Sequence, residues 1–136
     1  MLTIQRNDLQ LIYAHCEREY PNEACGILAG RDSRVEKVYA LTSERPSPVF
    51  YRIDAAEHFR VIREMRTAGT DLVGIYHSHT SSPAFPSATD VELAFYPEAV
   101  YVIVSLMDRS RPAAKGYAIV DGNITEVPLH IVPEEP

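Results

Sequence analysis

An apolar segment that leads directly into two histidines constrains this chain more than any other feature. The segment "DLVGIYH" (residues 71–77) is predicted to be a buried strand, and "SATDVELAFY" (residues 87–96) is predicted to be a short helix. Between them lies a loop rich in proline and serine. Side chains alternate between the two sides of an extended strand, so His77 and His79 project to the same side. The fold must therefore hold two imidazoles together at a strand end, close to the start of a helix.

The other apolar runs predict the strands of a mixed, mostly antiparallel sheet. Helices and strands follow each other in the order helix, strands, helix, strand, helix, strands, which is typical of a three-layer α/β or α+β domain. The run "AVYVIVSL" is the richest in β-forming residues, and we expect it to be a central strand. The predicted strands are residues 24–30, 35–41, 50–53, 71–77 and 99–106, with one hairpin through residues 30–33 and another turning at Asp121-Gly122.

Two longer helices are predicted, at residues 6–20 and from Asp54 to Ala68. Asp54 with Glu57 three residues later is a helix-start signature, in which each side chain can bond a free backbone amide. Gly69 fits the left-handed residue that commonly ends a helix. The apolar stripe of this second helix is predicted to be Phe59, Ile62 and Met65.

Composition excludes several classes of protein. With 136 residues, 46% hydrophobic and 24% charged, the chain is expected to form one domain over residues 1–132, followed by a short tail at 133–136. A net charge of −6 disfavours nucleic-acid binding. No apolar run is long enough to span a membrane, and the N-terminus does not resemble a signal peptide. The two cysteines form no C-x-x-C pair, so we expect reduced thiols and a cytoplasmic location, with Cys16 in the core and Cys25 a small buried hydrophobe.

The histidine pair is a candidate metal site. Neutral imidazole is a favoured zinc ligand, and a catalytic zinc site has three protein ligands and leaves a fourth position to water. Asp90 follows His79 by eleven residues and lies in the first turn of the predicted helix, where the loop can return it to the histidines. The structural alternative is that Ser87-x-x-Asp90 only caps this helix. We expect the two roles to compete, because a carboxylate bound to metal cannot also cap strongly and a Ser87 hydroxyl aimed at a reacting oxygen is not aimed at an amide.

The segment "HSHTSSPAFPSATD" resembles the signature of the JAMM (MPN+) metalloproteases, H-x-H-x7-S-x-x-D, and "PNEACG" matches their upstream P-x-E-x-x-G. The resemblance covers nearly the whole chain. It implies a three-layer, cytidine-deaminase-like domain with a mixed sheet flanked by helices. It also implies that His77, His79 and Asp90 are Zn²⁺ ligands, that Glu23 is the general base and that Ser87 stabilises the oxyanion. Many relatives carry proline where this chain has Thr80, a difference that concerns the shape of the loop more than the chemistry.

The resemblance also suggests a substrate. The chain is close to the minimal domain and is similar to short bacterial members that release cysteine from the C-terminus of a ubiquitin-like (β-grasp) sulfur carrier protein. The leading hypothesis is therefore a zinc peptidase that acts on the C-terminal tail of such a carrier. One alternative is an isopeptidase that removes a ubiquitin-like protein from a target. Another, of a different class, is a non-catalytic MPN scaffold with a structural metal. His15, His58 and His130 are assigned no function, and the oligomeric state is left open.

Overall fold

The computed structural model describes residues 1–133, so residues 134–136 of the predicted tail lie outside the described part of the chain. The helices are α1 (Arg6–Glu19), α2 (Ala55–Ala68) and α3 (Ala88–Glu92). Within the described residues, none of these helices is long and apolar enough to cross a membrane. The predicted domain end at residue 132 stays a prediction, although the last strand ends there. The strands are β1 (Leu2–Gln5), β2 (Cys25–Arg31), β3 (Arg34–Leu41), β4 (Asp71–His79), β5 (Val100–Ser105), β6 (Ala113–Val120), β7 (Asn123–Val127) and β8 (Leu129–Val132).

All eight strands form one mixed sheet in the order β7-β6-β5-β4-β2-β3-β1-β8. Four of its seven pairings are antiparallel, as expected, and β5 lies in the interior of the sheet. The strands β7 and β8 lie at opposite edges, yet only Pro128 separates them in the chain. The sheet must therefore curve until its two edges approach each other.

The sheet is the middle of three layers, which confirms the predicted architecture. One face packs against α1 through a cluster that includes Ile12, Leu28 and Val102. The other face packs against α2 near the β2 side and against the α3 segment near the β5 side. Neighbouring residues of each strand serve opposite layers: Tyr76 belongs to the α1 side, whereas Ile75 belongs to the α3 side.

Helix α2 begins and ends as predicted, but two details differ. The Asp54 side chain accepts a hydrogen bond from the Glu57 amide, and Gly69 is left-handed with φ of 73°. The Glu57 carboxylate, however, accepts the amide of Thr42 at 2.6 Å, so it ties the helix to the end of β3 and does not cap the helix. The predicted stripe is also wrong at Phe59, which is 66% exposed, because Val61 and Met65 are the residues of this helix that are buried.

Three other predictions need correction. Residues 50–53 form no strand, only an isolated antiparallel bridge between Ser43 and Ile53. The predicted helix at residues 87–96 ends at Glu92, because the Tyr96 amide bonds to the hydroxyl of Tyr101 at 3.1 Å and so lies outside any helical ladder. The sequence patterns predict no strand at β1 and do not divide β7 from β8. In the structure, β1 pairs in parallel with β8 and with β3.

Candidate metal centre

Strand β4 positions the histidine pair. His77 pairs with Cys25 of β2 on one side and with Ile103 of β5 on the other, so the strand is held rigidly to its end. Its odd-numbered residues face the layer of α2 and α3, which places His77 and His79 side by side, with their Nε2 atoms 3.2 Å apart. Both side chains are buried, with exposures of 1% and 5%.

Asp90 of α3 completes a group of three. One carboxylate oxygen lies 3.1 Å from Nε2 of His77, and the other lies 2.9 Å from Nε2 of His79. The ligand atoms of these three residues all lie within 4.8 Å of one another. The structure thus brings together the three residues that the sequence proposed as metal ligands.

The helix cap and the three-residue cluster are both formed in this structure, while the expected competition between capping and a bound metal stays a prediction. Ser87 accepts the Asp90 amide at 3.1 Å, and Asp90 Oδ2 accepts the Ser87 amide at 2.9 Å. The same carboxylate faces both histidines, since its two oxygens have several lone pairs. The Ser87 hydroxyl accepts a hydrogen bond in this cap and keeps its own proton available to donate.

Neighbouring groups fix the orientation of both imidazoles. Nδ1 of His79 donates to the carbonyl of Pro83 at 2.9 Å, which leaves the Nε2 lone pair of His79 for a ligand bond. The ring of Tyr51 stacks on His77, with ring centroids 4.6 Å apart. Among the described residues, Nδ1 of His77 is buried without a hydrogen-bond partner. Sequence reasoning missed Tyr51, because it lies in a loop and no periodicity marks it.

The three groups also shift one another's protonation. Burial lowers the pKa of His77 below its usual value. Burial acts on His79 in the same direction, but the hydrogen bonds to Asp90 and Pro83, together with the negative charges of Asp90 and Glu23, outweigh it and raise the pKa. For Asp90, burial would raise the pKa, but the hydrogen bonds from both histidines hold it well below the usual range. An ionised carboxylate between two imidazoles is a donor set that suits a divalent cation.

Glu23 lies beside this cluster, as the sequence proposed. It is only 7% exposed and lines a small pocket together with Asp90 and Thr89. Burial raises the pKa of its carboxyl to about 8. Its side chain has no hydrogen-bond partner among residues 1–133, so the carboxyl group is free to interact with a bound molecule.

Backbone contacts, rather than side-chain contacts, hold Glu23 in place. The Glu23 amide donates to the carbonyl of Ser47 at 2.7 Å. The amide of the next residue, Ala24, donates to the hydroxyl of Ser78 at 2.8 Å, and the Ser78 amide donates back to the Ala24 carbonyl at 3.1 Å. Ser78, the residue between the two histidines, thereby couples the segment that carries Glu23 to the strand that carries both histidines.

Thr80 binds the same loop as Glu23, the loop before α2 that contains Ser47 and Pro48. Its hydroxyl donates to the carbonyl of Pro48 at 3.0 Å, one residue beyond the carbonyl of Ser47 that binds Glu23. The loop that precedes α2 is therefore tied both to the segment before β2 and to the loop after β4. A proline at position 80 has no hydroxyl and could not make this contact.

An apolar groove of about 430 Å³ is lined in part by Tyr51, the residue whose ring stacks on His77. Its lining includes Ile75 and Tyr101, and two further lining residues, Tyr96 and His58, are joined by a hydrogen bond of 3.1 Å. This contact gives His58 a structural role that the sequence did not suggest. The groove and the pocket of Glu23 and Asp90 share three lining residues: Phe50, Tyr51 and Leu93.

Comparison with known proteins identifies similar chains. The CysO-cysteine peptidase of Mycobacterium tuberculosis is 44% identical over 134 residues, which cover 97% of this chain and 92% of that protein. The desampylase of Haloferax volcanii is 42% identical over 88 residues, covering 62% of this chain and 63% of that protein. The solution structure of the protein DSY2949 from Desulfitobacterium hafniense superposes with a TM-score of 0.87 at 35% identity, covering 100% of this chain and 94% of that chain.

Residues 6–115 match the family described as prokaryotic homologs of the JAB domain. The match includes Glu23, both histidines, Ser87 and Asp90, so it spans both halves of the candidate site. The resemblance to JAMM proteins that rests on those residues is therefore confirmed over most of the chain: the protein belongs to the prokaryotic JAB-domain family, as a JAMM/MPN-type domain.

Proposed function

We propose that this protein is a zinc-dependent peptidase that hydrolyses an amide bond at the C-terminal tail of a ubiquitin-like sulfur carrier protein, releasing cysteine. One observation carries the proposal: His77, His79 and Asp90 converge on one point beside a buried, unpartnered Glu23. The similarity to a CysO-cysteine peptidase along 97% of the chain supports this substrate class. Two buried cysteines without a disulfide are consistent with a reducing, cytoplasmic location.

The residues fit zinc by the chemistry of their donors. Two imidazole nitrogens and one carboxylate are the ligand types of a catalytic zinc site with an open position. The Pro83 carbonyl already holds the tautomer of His79 that a ligand needs. When bound, zinc would supply Lewis acidity, which makes hydroxide available near neutral pH and polarises a carbonyl group.

We assign the proton transfers to Glu23. Its ionised form accepts a proton from the attacking water and passes it to the leaving amine, the usual task of a general base that becomes a general acid. A cation held by the neighbouring ligands would favour this ionised form and so oppose the burial that raises the pKa of Glu23. Ser87 donates its hydroxyl proton to the oxygen on which negative charge develops, while the Asp90 amide holds that hydroxyl in position. Tyr51 covers one side of the His77 ring.

The groove offers a place for an extended tail. The segment before α2 pairs with residues 42–44 through the Arg52 carbonyl and the Asp54 amide. Peptide groups alternate in direction along an extended chain, so those of Ile53 point away from this pairing. Ile53 also lines the groove, and a peptide could bond to it as an added strand that leads toward the metal ligands.

The test is to offer the enzyme, loaded with zinc, a sulfur carrier that bears a C-terminal cysteine adduct. We expect the carrier to lose the mass of one cysteine, as measured by mass spectrometry of the intact protein. Glu23→Gln should bind zinc as the parent does and lose the activity. Full activity of that variant would contradict the role of Glu23, and an Asp90→Ala variant with unchanged zinc content would contradict the metal site.

A second candidate function is removal of a ubiquitin-like protein from a target. The similarity to a desampylase favours it, although over a smaller share of the chain. Cleavage of a ubiquitin-like isopeptide without cleavage of the cysteine adduct would select this alternative. A zinc-loaded protein that cleaves neither substrate would instead match a scaffold with a structural metal.

A further inference from the structure

The outward side of α2 carries a basic stripe with an aromatic residue beside it. Arg60, Arg63 and Arg66 are all exposed, and their spacing of three residues places them on one side of the helix. Among residues 1–133, no carboxylate pairs with any of the three; the guanidinium of Arg63 lies over the Phe59 ring, 5.8 Å from its centroid. A free arginine stripe is notable on a chain whose net charge is −6.

The acidic residues of the same helix do not neutralise this stripe. Glu57 turns toward β3, where it accepts the Thr42 amide. Glu64 reaches the other way around the helix to Lys37 of β3, at 3.9 Å. The arginines therefore remain available to a negatively charged partner.

Helix α2, which carries the stripe, borders the groove. His58, the neighbour of Phe59 in the chain, lines that groove and bonds to Tyr96 across it. Large apolar side chains remain exposed on this side: Phe95 of the groove at 73%, Val49 of the adjoining small pocket at 77%, and Phe59 of α2 at 66%. Aromatic and arginine side chains together are enriched at the centres of protein interfaces.

We propose that α2 receives the folded body of the carrier, and that an acidic surface of the carrier contacts Arg60, Arg63 and Arg66 while its tail occupies the groove. The proposal rests on the proposed function, since it assumes that the substrate is a folded protein with an extended tail. A tail rises about 3.3 Å per residue, so a few residues suffice to bring the body next to the helix that flanks the groove. Charged residues at such a rim mainly raise the rate of association and its dependence on salt.

The test compares the whole carrier with its tail alone. The double variant R60E/R63E leaves Arg66 in place, because a basic residue in the last turn favours the helix. For the cysteine adduct of the whole carrier, we expect kcat/KM to fall by roughly tenfold or more, mainly through KM. For a synthetic peptide of the last six carrier residues with the same adduct, we expect kcat/KM to stay within about twofold, since the peptide lacks the body.

A matched control makes the same charge change elsewhere. R6E/R111E alters two exposed arginines, one at the start of α1 and one in the loop between β5 and β6, which Arg109 ties to Glu17 of α1. Neither lies in the last turn of a helix, and the variant should leave both substrates within about twofold of the parent. Added salt should raise KM for the whole carrier in the parent, and it should do so less in R60E/R63E.

Each other outcome overturns the proposal in a recognisable way. Unchanged kinetics of R60E/R63E on the whole carrier would refute docking on α2 while leaving the proposed function intact. An equal fall of kcat/KM for the carrier and for the peptide would show that the substitutions disturb the active site, and it would also refute docking on α2. A parent enzyme that cleaves neither the carrier nor the peptide would refute the proposed function, and the docking proposal with it.

Discussion

Gly26, the last residue of the "PNEACG" segment, is predicted to be irreplaceable because of Tyr76. A Cβ atom added at Gly26 would overlap the ring of Tyr76 on the neighbouring strand, with only 2.5 Å to its hydroxyl oxygen. Tyr76 is fully buried, and its hydroxyl bonds to Nδ1 of His15 at 2.7 Å. The change Gly26→Ala must therefore displace a ring that is fully buried and that is tied to helix α1.

The cost has two parts. Overpacking of a well-packed core costs about 1–3 kcal/mol. Separation of the Tyr76 hydroxyl from His15 leaves buried polar groups without partners, at about 1–3 kcal/mol. We therefore expect the free energy of unfolding to fall by about 4 kcal/mol, a large share of the roughly 5–15 kcal/mol that is typical of a domain. For a chain of this size, that corresponds to a decrease in Tm of about 15 °C.

Urea unfolding followed by circular dichroism would measure the change. Gly69→Ala is the matched control, because Gly69 has φ of 73° but nothing lies within 4 Å of an added Cβ atom. That control should lower the free energy of unfolding by only about 1 kcal/mol, because of backbone strain. In addition, Gly26→Ala should cost little in a Tyr76→Leu background, where the ring is absent. A Gly26→Ala protein within about 1 kcal/mol of the parent would refute the reasoning.

Four further predictions concern the site and the core. Ser78→Ala should lower the free energy of unfolding by about 1–3 kcal/mol, because it leaves the buried Ala24 amide without its hydrogen-bond acceptor. Ser78→Thr keeps the hydroxyl and should lower it less, as chemical denaturation would measure. Thr80→Val should cost about 1 kcal/mol in the same assay, because it removes one hydrogen bond to the loop before α2. Cys16 and Cys25 are buried and their pKa values are raised to about 12, so neither should react with a thiol reagent at pH 8 until the protein unfolds; rapid labelling of the folded protein would contradict their burial. Zinc at a hundred times its Kd should raise the free energy of unfolding by about 2.7 kcal/mol, and a chelator should remove that gain in a thermal melt.

Local signals predicted the elements that surround the site. The start of α2 depends on Asp54 and its end on Gly69, and both lie within one turn of the residues they affect. The turn of the β2–β3 hairpin has φ of 53° at Asp32 and 59° at Ser33, so two adjacent residues define it. Such features depend on near neighbours, and a sequence pattern can therefore reveal them.

Long-range contacts decided what the sequence did not reveal. The strand β1 has four residues, and its pairing partner β8 lies at the far end of the chain: Thr3 pairs with His130. The early end of α3 depends on a bond between Tyr96 and Tyr101 of the next strand. Phe59 was expected to be buried because apolar spacing alone does not determine which of several apolar residues faces the sheet.

The spacing of the two histidines follows from the position of β4 between two layers. Its odd-numbered residues His77 and His79 face the layer that holds Asp90, so the even-numbered residues Tyr76 and Ser78 must face α1. Those two residues bond to His15 and to the Ala24 amide, at 2.7 Å and 2.8 Å. Adjacent histidines would point to opposite layers, and only one of them could reach a metal. The serine within "HSH" therefore does more than separate two ligands: it anchors, from the other side of the sheet, the segment that presents the proposed general base.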